Sequence, residues 1–438
     1  MSSPPTSGAS ASSARATKSV SRPSPSPPPS LCSANRRTGC VPWYRDITRD
    51  QWKTLAAAQL GWLLDAMDVM LYAFALTAIA SEFHLSGSQS GAIASAALVT
   101  SGLGGGLFGY LADRYGRVRS LIWSVVSYSI FTACTATSSS LAQLIFWRAL
   151  VGFGLGGEWA AGSVLVAETW PAQHRGKAIG FMQAGWAIGY IFAALLSAAI
   201  LPRYGWRALF VIGILPALIA LWGFRRVPEP ATWIRREKTP FRIPLTRTFL
   251  TATLLTTTIL FAYWGLFTWI PAYLASPVSR GGAGMGLVRS TGWIVPMQIG
   301  AFFGYISFGF LADRFGRKPV FLTFVLAAAA LVPAYGLWGQ SPLALMIMGP
   351  LIGFFGHGYF SVFGAMLAEL FPLSIRATAQ GLCYNIGRAL GGAMAPLVIG
   401  AAADRYGIGT ALTLTSLFFV AGAMLMLALK ETRGTELS

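Results

Sequence analysis

Charged side chains sit inside stretches of this chain that are otherwise apolar: Asp65 and Asp68, then Arg148 and Glu158, then Arg388. If those stretches lie in lipid, each charge at the bilayer centre costs at least ~2.5–3.5 kcal/mol by insertion scales. A chain that keeps them is expected to use them. Asp65 and Asp68 are spaced i, i+3 and share one helix face, which should look into a wet cavity rather than lipid. Arg148 and Glu158 lie about 15 Å apart along a helix, too far to pair. Each therefore needs a partner on another helix, and the first-span aspartates are candidates. Burial disfavours the charged form of a carboxylate, and a nearby cation favours it. A carboxylate that gains and loses a cationic neighbour between two conformations can carry a proton. A static buried ion pair that fixes helix packing is the plainer alternative. The group assigned to proton coupling is Asp65, Asp68, Glu158 and Arg148.

Arg388 stands near the middle of its apolar stretch with no acidic residue within a helix turn. Guanidinium is permanently charged and holds a carboxylate through two parallel hydrogen bonds. An anionic substrate would complete it, and a carboxylate from elsewhere in the chain would do so equally. Asn385, one turn earlier on the same face, would add a neutral hydrogen-bonding group. Gln183, Gln298, Tyr384 and Trp159 are further candidates for the wall of a binding cavity. His357 also lies in an apolar stretch, and an ordinary histidine changes charge near neutral pH. Without a second ligand or base beside it, it reads more simply as a packed or cavity-lining residue. The aromatics Trp186, Tyr190, Tyr263 and Trp264 read mostly as packing, some of them as cavity wall.

The elements that must carry these groups follow from composition. The 438 residues are 54% hydrophobic and only 11% charged, with a mean hydropathy of +0.58. A soluble domain carries about 25% charged residues, so this chain cannot coat a soluble surface. Its length fits about twelve spans of ~20 residues with short loops. The spacing predicts spans near 53–80, 90–112, 118–138, 141–168, 177–200, 207–225, 247–274, 287–312, 319–338, 342–368, 377–402 and 408–429. A polar connection over 226–246 divides them six and six. The expected organisation is a disordered tail over 1–45, a six-helix bundle over 46–225, a central loop over 226–246, a second bundle over 247–429 and a tail over 430–438.

The net charge of +18 comes in short clusters between apolar stretches, not along one basic face, so no nucleic-acid partner is expected. The clusters fall on one side: the N-tail, the 113–119, 174–177 and 314–318 loops, the central loop, Arg376 and the C-tail. The other side receives Arg203, Arg207, Arg280, Arg289 and Arg405. The positive-inside rule then places both termini in the cytoplasm, in a plasma (inner) membrane. The Ser-, Pro- and Arg-rich tail lacks the apolar stretch of a signal peptide. Its composition also fits an organellar transit segment or a misplaced start. Cys32, Cys40, Cys134 and Cys383 have no metal-site or disulfide spacing. The Gly runs at 104–106, 152–157 and 391–392 follow no strand, so they allow close helix approach in lipid rather than phosphate binding.

The chain repeats itself. GYLADRYGR at 109–117 pairs with GFLADRFGR at 309–317, and AETWPAQHRGKAIG at 167–180 pairs with AELFPLSIRATAQG at 368–381. Tandem repeats with an even number of spans imply an axis along the membrane normal. G-x-L-A-D-R-x-G-R after the second and eighth spans resembles the loop signature of the major facilitator superfamily. Arg148-Ala-Leu-Val-Gly152-Phe-Gly154 is similar to its fourth-helix pattern. Gly156-Gly157-Glu158-Trp159 and Tyr384-Asn385-Ile386-Gly387-Arg388 look like the metabolite:proton symporters for sialate, lactate and aromatic acids. The resemblance implies an all-α fold of twelve transmembrane helices in two six-helix pseudo-repeats. It also implies a gating role for the loop residues Asp113, Arg114, Gly116, Arg117, Asp313, Arg314, Gly316 and Arg317; simple charge anchoring is the alternative. Gly116 suits the tight turn.

The function expected is proton-coupled symport of a small organic anion by alternating access, with no enzyme activity, metal or cofactor and the proton gradient as drive. The partners are the anion, protons and the lipid bilayer, and the chain works as a monomer. The alternatives are an uncoupled facilitator or exporter, or a metabolite sensor that does not transport.

Overall fold

A computed structural model describes residues 43–85, 87–234, 245–275, 277–285, 287–338 and 341–435. The chain forms two compact units, Met1–Asp46 and Ile47–Ser438. Of the first, only the short helix Trp43–Asp46 is described. The expectations for residues 1–42, and for Arg235, Arg236, Lys238 and Arg242 of the central loop, lie outside the described residues.

The second unit is helical, with no strand among the described residues. In hydrocarbon every backbone N–H and C=O must be paired within its own segment, which leaves helices as the spanning element for such a sequence. In the first half these are α1 (Arg49–Glu82), α2 (Gly87–Tyr115), α3 (Arg117–Thr135), α4 (Leu141–Thr169), α5 (Ala172–Ser197) and α6 (Ala199–Arg226). In the second half they are α7 (Arg247–Phe267), α8 (Leu287–Phe315), α9 (Arg317–Trp338), α10 (Pro342–Leu370), α11 (Arg376–Tyr406) and α12 (Ile408–Leu427). Eleven of the twelve are long and apolar enough to cross a membrane on composition alone. The exception is α3, where Arg117, Arg119 and a row of Ser and Thr dilute the apolar residues. Those hydroxyls face protein instead: Ser120 donates to Phe108 O (2.8 Å) and Ser124 to Gly154 O (2.7 Å).

The halves repeat one packing scheme. In the first, α2 packs on α4, α1 on α5 and α3 on α6. In the second, α8 packs on α10, α7 on α11 and α9 on α12. The halves are joined chiefly by α2 with α11 and α5 with α8, and also by α4 with α10 and α11 and by α5 with α10. Small residues make the approach possible: a Cβ on Gly156 of α4 would strike the Ser101 carbonyl oxygen of α2. Both halves contain irregular helices. In the first, α6 carries Pro202, Pro216 and a non-helical Gly205 (φ 73°), whereas α1–α4 contain no proline; in the second, α8, α9, α10 and α11 each contain an internal one (Pro296, Pro333, Pro350, Pro396). Helix α10 breaks at Tyr359, and α11 widens into a π-helical turn at Arg388–Gly392.

The two loop motifs, Arg175, Arg376 and Glu431 meet at one end of the bundle, called the motif end below. Elsewhere, Trp206 and Arg207 hydrogen-bond Glu82 (2.7 and 2.9 Å) and hold its carboxyl below the usual carboxylate range.

Candidate functional site

Helix α11 carries the groups that face the other half. Arg388 sits at the start of the π-helical turn and is buried. Its Nε–H donates across the interface to Ser101 Oγ (2.9 Å), and its side chain lines a cavity between the halves. Seven of the ten residues on that wall are aromatic, drawn from both halves. The cavity is small, with about 20 Å³ of space, the room one water-sized body needs. Gln183 also lines it, but both ends of its amide are engaged: Oε1 accepts from Trp159 Nε1 (3.1 Å) and Nε2 donates to Phe360 O (3.4 Å). Trp159 lies beneath the wall and stacks on Tyr384 (3.8 Å between centroids, 19°).

The first-half charges divide into two groups. Asp68 pairs with Arg148 (3.8 Å), whose guanidinium also lies over the Tyr72 ring (4.6 Å). Asp65 and Glu158 lie within electrostatic reach of each other and of Arg388. All three carboxylates are fully buried and make no protein hydrogen bond among the described residues. Glycine at 61 leaves the Glu158 carboxylate its place: a Cβ there would come within 2.6 Å of Oε1. The predicted cross-helix partnering of Arg148 is thus present, and the Glu158 carboxylate sits against Gly61 of α1, within electrostatic reach of Arg388 in the other half.

Two predicted site residues, Asn385 and Gln298, do not line the cavity. Asn385 is tied into the interface, its Nδ2 donating to Gly156 O (2.9 Å) and Gly381 O (3.1 Å). It is a helix clamp, not part of the cavity wall. Gln298 is buried on α8 away from the wall. His357 donates Nδ1–H to Gly353 O (3.1 Å) among Phe267, Tyr263 and Tyr305, which marks it as a packed residue.

The loop motifs build a second constellation at the motif end, twice over. The Asp113 carboxylate accepts from Thr378 N (2.8 Å), Thr378 Oγ1 and Ala377 N (3.3 Å) at the start of α11, and from Arg117 (2.7 Å). Asp313 accepts from Gly176 N (2.9 Å) and Lys177 N (2.8 Å) at the start of α5, and from Arg317 (2.6 Å). A carboxylate on a helix N-terminus meets unpaired N–H groups and the positive end of the helix dipole. Arg117 continues to Glu168 (2.8 Å), which Arg376 of the other half also reaches (3.3 Å). Arg317 continues to Glu369 (3.2 Å), which Arg175 of the other half reaches (2.8 Å). Gly116 and Gly316 adopt φ of 125° and 110°, open to glycine, and bring each Arg back over its helix. Arg114 and Arg314 stand outside this network. They project outward over Tyr115 (5.8 Å) and Phe315 (5.2 Å), because residues next to the inward-facing aspartates point to the other side of the helix.

Sequence reasoning did not single out Glu168, Glu369, Glu229 or Glu431. Glu229 caps α3 by accepting from the Arg117, Val118 and Arg119 amides (2.7, 3.1 and 3.2 Å). Glu431 does the same for α9 at Arg317 and Lys318 (2.9 and 3.0 Å). The signal was available. Glu168 and Glu369 occupy the same place in the two repeat copies, and Glu229 and Glu431 each follow the last span of a half.

Comparison with known proteins agrees with this architecture. A family model for the Major Facilitator Superfamily matches residues 60–295 and 285–437. A putative metabolite transport protein of Haemophilus influenzae is 35% identical over 387 residues, covering 84% of this chain and 93% of the relative. The cis,cis-muconate transport protein of Acinetobacter baylyi is 33% identical over 398 residues, covering 87% and 95%. The sialic acid transporter NanX of Escherichia coli is 29% identical over 394 residues, covering 88% and 95%. Among solved structures, the proton:xylose symporter XylE superposes with a TM-score of 0.74 at 18% identity, over 88% of this chain and 97% of that one. Matches that run through both halves, and a shared twelve-helix fold, place the chain in the Major Facilitator Superfamily as a multi-pass membrane transporter.

Proposed function

We propose that this transporter moves a small organic anion together with protons, by alternating access, across a plasma (inner) membrane with both termini cytoplasmic. The observation that carries the reading is the setting of Arg388. It is the cation on the cavity wall, and its electrostatic neighbours across the interface are two carboxylates, Asp65 and Glu158. An anion entering that cavity meets Arg388 and is repelled by those acids. Protonating them removes the repulsion. Proton and anion then each improve the site for the other, as linkage requires. Arg148 and Asp68 support the same helices from behind as a closed pair.

The relatives' printed substrates, cis,cis-muconate and sialic acid, are both carboxylates, which favours the anion. The double network at the motif end would hold one of the two alternating states, and nothing in the mechanism calls for a metal, a cofactor or a second copy.

The test is uptake of a panel of carboxylates into liposomes holding purified protein. An inward proton gradient should drive accumulation, and a protonophore should abolish it. Uptake indifferent to the gradient would leave an uncoupled facilitator. Binding of a carboxylate with no uptake under any gradient would leave a sensor.

A further inference from the structure

Helix α3 carries a polar face that the transport scheme leaves unused. Ser120, Ser124, Tyr128 and Thr132 recur every four residues and share one side. The first two hydroxyls donate to backbone carbonyls of α2 and α4. Tyr128 is fully buried, and its hydroxyl has no partner among the described residues. An unpaired buried hydroxyl is unfavourable and calls for a reason. Packing shows where it points. Helices α1, α3 and α4 meet at Gly61, where a Cβ would come within 2.6 Å of Glu158 Oε1 and 3.7 Å of Leu121. Both α1 and α3 run away from the motif end. Asp68 and Tyr128 each lie seven residues, about 10 Å, beyond that meeting point on the same face of their helices. The Tyr128 backbone rests on α4 at Gly154, where a Cβ would come within 2.7 Å of its amide nitrogen, and Glu158 is one turn on from Gly154. Helical side chains lean toward their own N-terminus, so the ring leans back from the level of Asp68 toward that of Glu158. Asp65, Asp68 and Glu158 are the charged groups that act on it. Arg148 pairs with Asp68, and Arg388 acts on Asp65 and Glu158. From α2 and α6 this face meets the Phe108 carbonyl and Gly213, neither of which titrates.

We propose that the Tyr128 hydroxyl passes the proton between Asp68 and the two acids within reach of Arg388, Asp65 and Glu158. This rests on the reading of those acids as the proton site. A phenol both donates and accepts. In one step it gives its own proton to the carboxylate on one side and takes one from the protonated acid on the other. One proton moves, one negative charge moves the opposite way, and Tyr128 ends as the neutral phenol it began as. Asp68 takes part when its pair with Arg148 opens. The two stand 3.8 Å apart, beyond hydrogen-bond length, so the pair is a loose one. The route runs through the first half alone, so the proton need not share the path of an anion that binds between the halves.

The test needs no substrate, because the probe is the proton itself. Liposomes holding the full-length protein, adsorbed on a solid-supported electrode, receive a sudden drop in pH, and the charge displaced within the protein is recorded. The parent should give a transient that Glu158→Gln diminishes. In Tyr128→Phe the transient should relax about a hundredfold more slowly, the low end of what a positioned proton carrier contributes. Tyr128→3-fluorotyrosine keeps the hydroxyl and should relax at close to the parent's rate. An unchanged rate in Tyr128→Phe would overturn the relay and leave the acids as the proton site. A fluorinated variant as slow as Tyr128→Phe would also overturn it alone, because the slowing would then come from packing. No transient in the parent, or one that Glu158→Gln leaves as it was, would bring down the proton reading and the relay with it.

Discussion

At the scale of residues, Glu158 and Arg148 are held in opposite ways. Among the described residues Glu158 has no protein hydrogen bond, and the cation within its electrostatic reach, Arg388, belongs to the other half. Glu158→Gln removes the site of protonation while keeping the shape. Accumulation against a gradient should be lost and counterflow exchange retained; a variant that still concentrates substrate with normal pH dependence would exclude Glu158 as the carrier. Arg148, in contrast, is paired with Asp68 in a fully buried setting. Arg148→Met leaves an uncompensated buried carboxylate, for which a loss of about 3–5 kcal/mol is expected. Adding Asp68→Asn should recover most of it. Thermal unfolding in detergent reads both. A double variant no more stable than Arg148→Met would refute the pairing account.

At the scale of elements, the two helices that begin at the loop motifs are capped from a distance. Residues Gly116 and Gly316 offer no capping side chain, and Glu229 and Glu431 supply the acceptors from beyond the last span of each half. Burial acts to raise the Glu431 carboxyl, but four backbone N–H bonds outweigh it and hold the group below the usual range. A depressed folded value means this contribution is present above the unfolded value, about 4.3, and is lost as pH falls through the folded one. The protection factors of the Arg317 and Lys318 amides, taken against the intrinsic rate at each pH, should therefore be high at pH 6 and fall once the pH drops below the unfolded value. In Glu431→Gln they should be lower at both and no longer show that step. An unchanged step in the variant would assign it to another group. The prolines of α8–α11, the break in α10 and the π turn in α11 lie in the half that carries Arg388. Bends of this kind have local causes, and wide turns often coincide with functional positions.

At the scale of the whole molecule, the motif end is closed by two copies of one network. Asp113 and Asp313 each reach across to the first turn of a helix in the other half, and Glu168 and Glu369 each take an arginine from it. Hydrogen bonds to charged groups contribute about 1.5–3 kcal/mol each, so one lost link should move the balance between closed and open motif ends by about tenfold to a hundredfold. In a cysteine-free background, Ile179→Cys is buried at that interface beside Gly364. Asp113→Asn should raise its labelling rate by about that factor. An unchanged rate would mean that the network does not hold the end shut.

The sequence by itself determined the class and the plan of this protein. Too few charges for a soluble surface, twelve apolar stretches and two paired motifs are all local or periodic signals, and each is readable one segment at a time. It also picked out Asp65, Asp68, Arg148, Glu158 and Arg388, because a charge among apolar neighbours is conspicuous wherever the helix ends up. What only the tertiary structure decided is who faces whom. Spacing within one helix cannot say that Arg148 takes Asp68 and leaves Asp65 and Glu158 to Arg388. Nor can it say that Asn385 clamps α11 to α4 while Tyr384, one residue earlier, meets the cavity. Adjacent residues on a helix point about 100° apart, and only the packing of the neighbouring helices settles which direction is cavity, interface or lipid. The same holds for Glu229 and Glu431, ordinary in sequence and placed as caps only because the chain, after six crossings, returns to the end where the third or ninth helix begins.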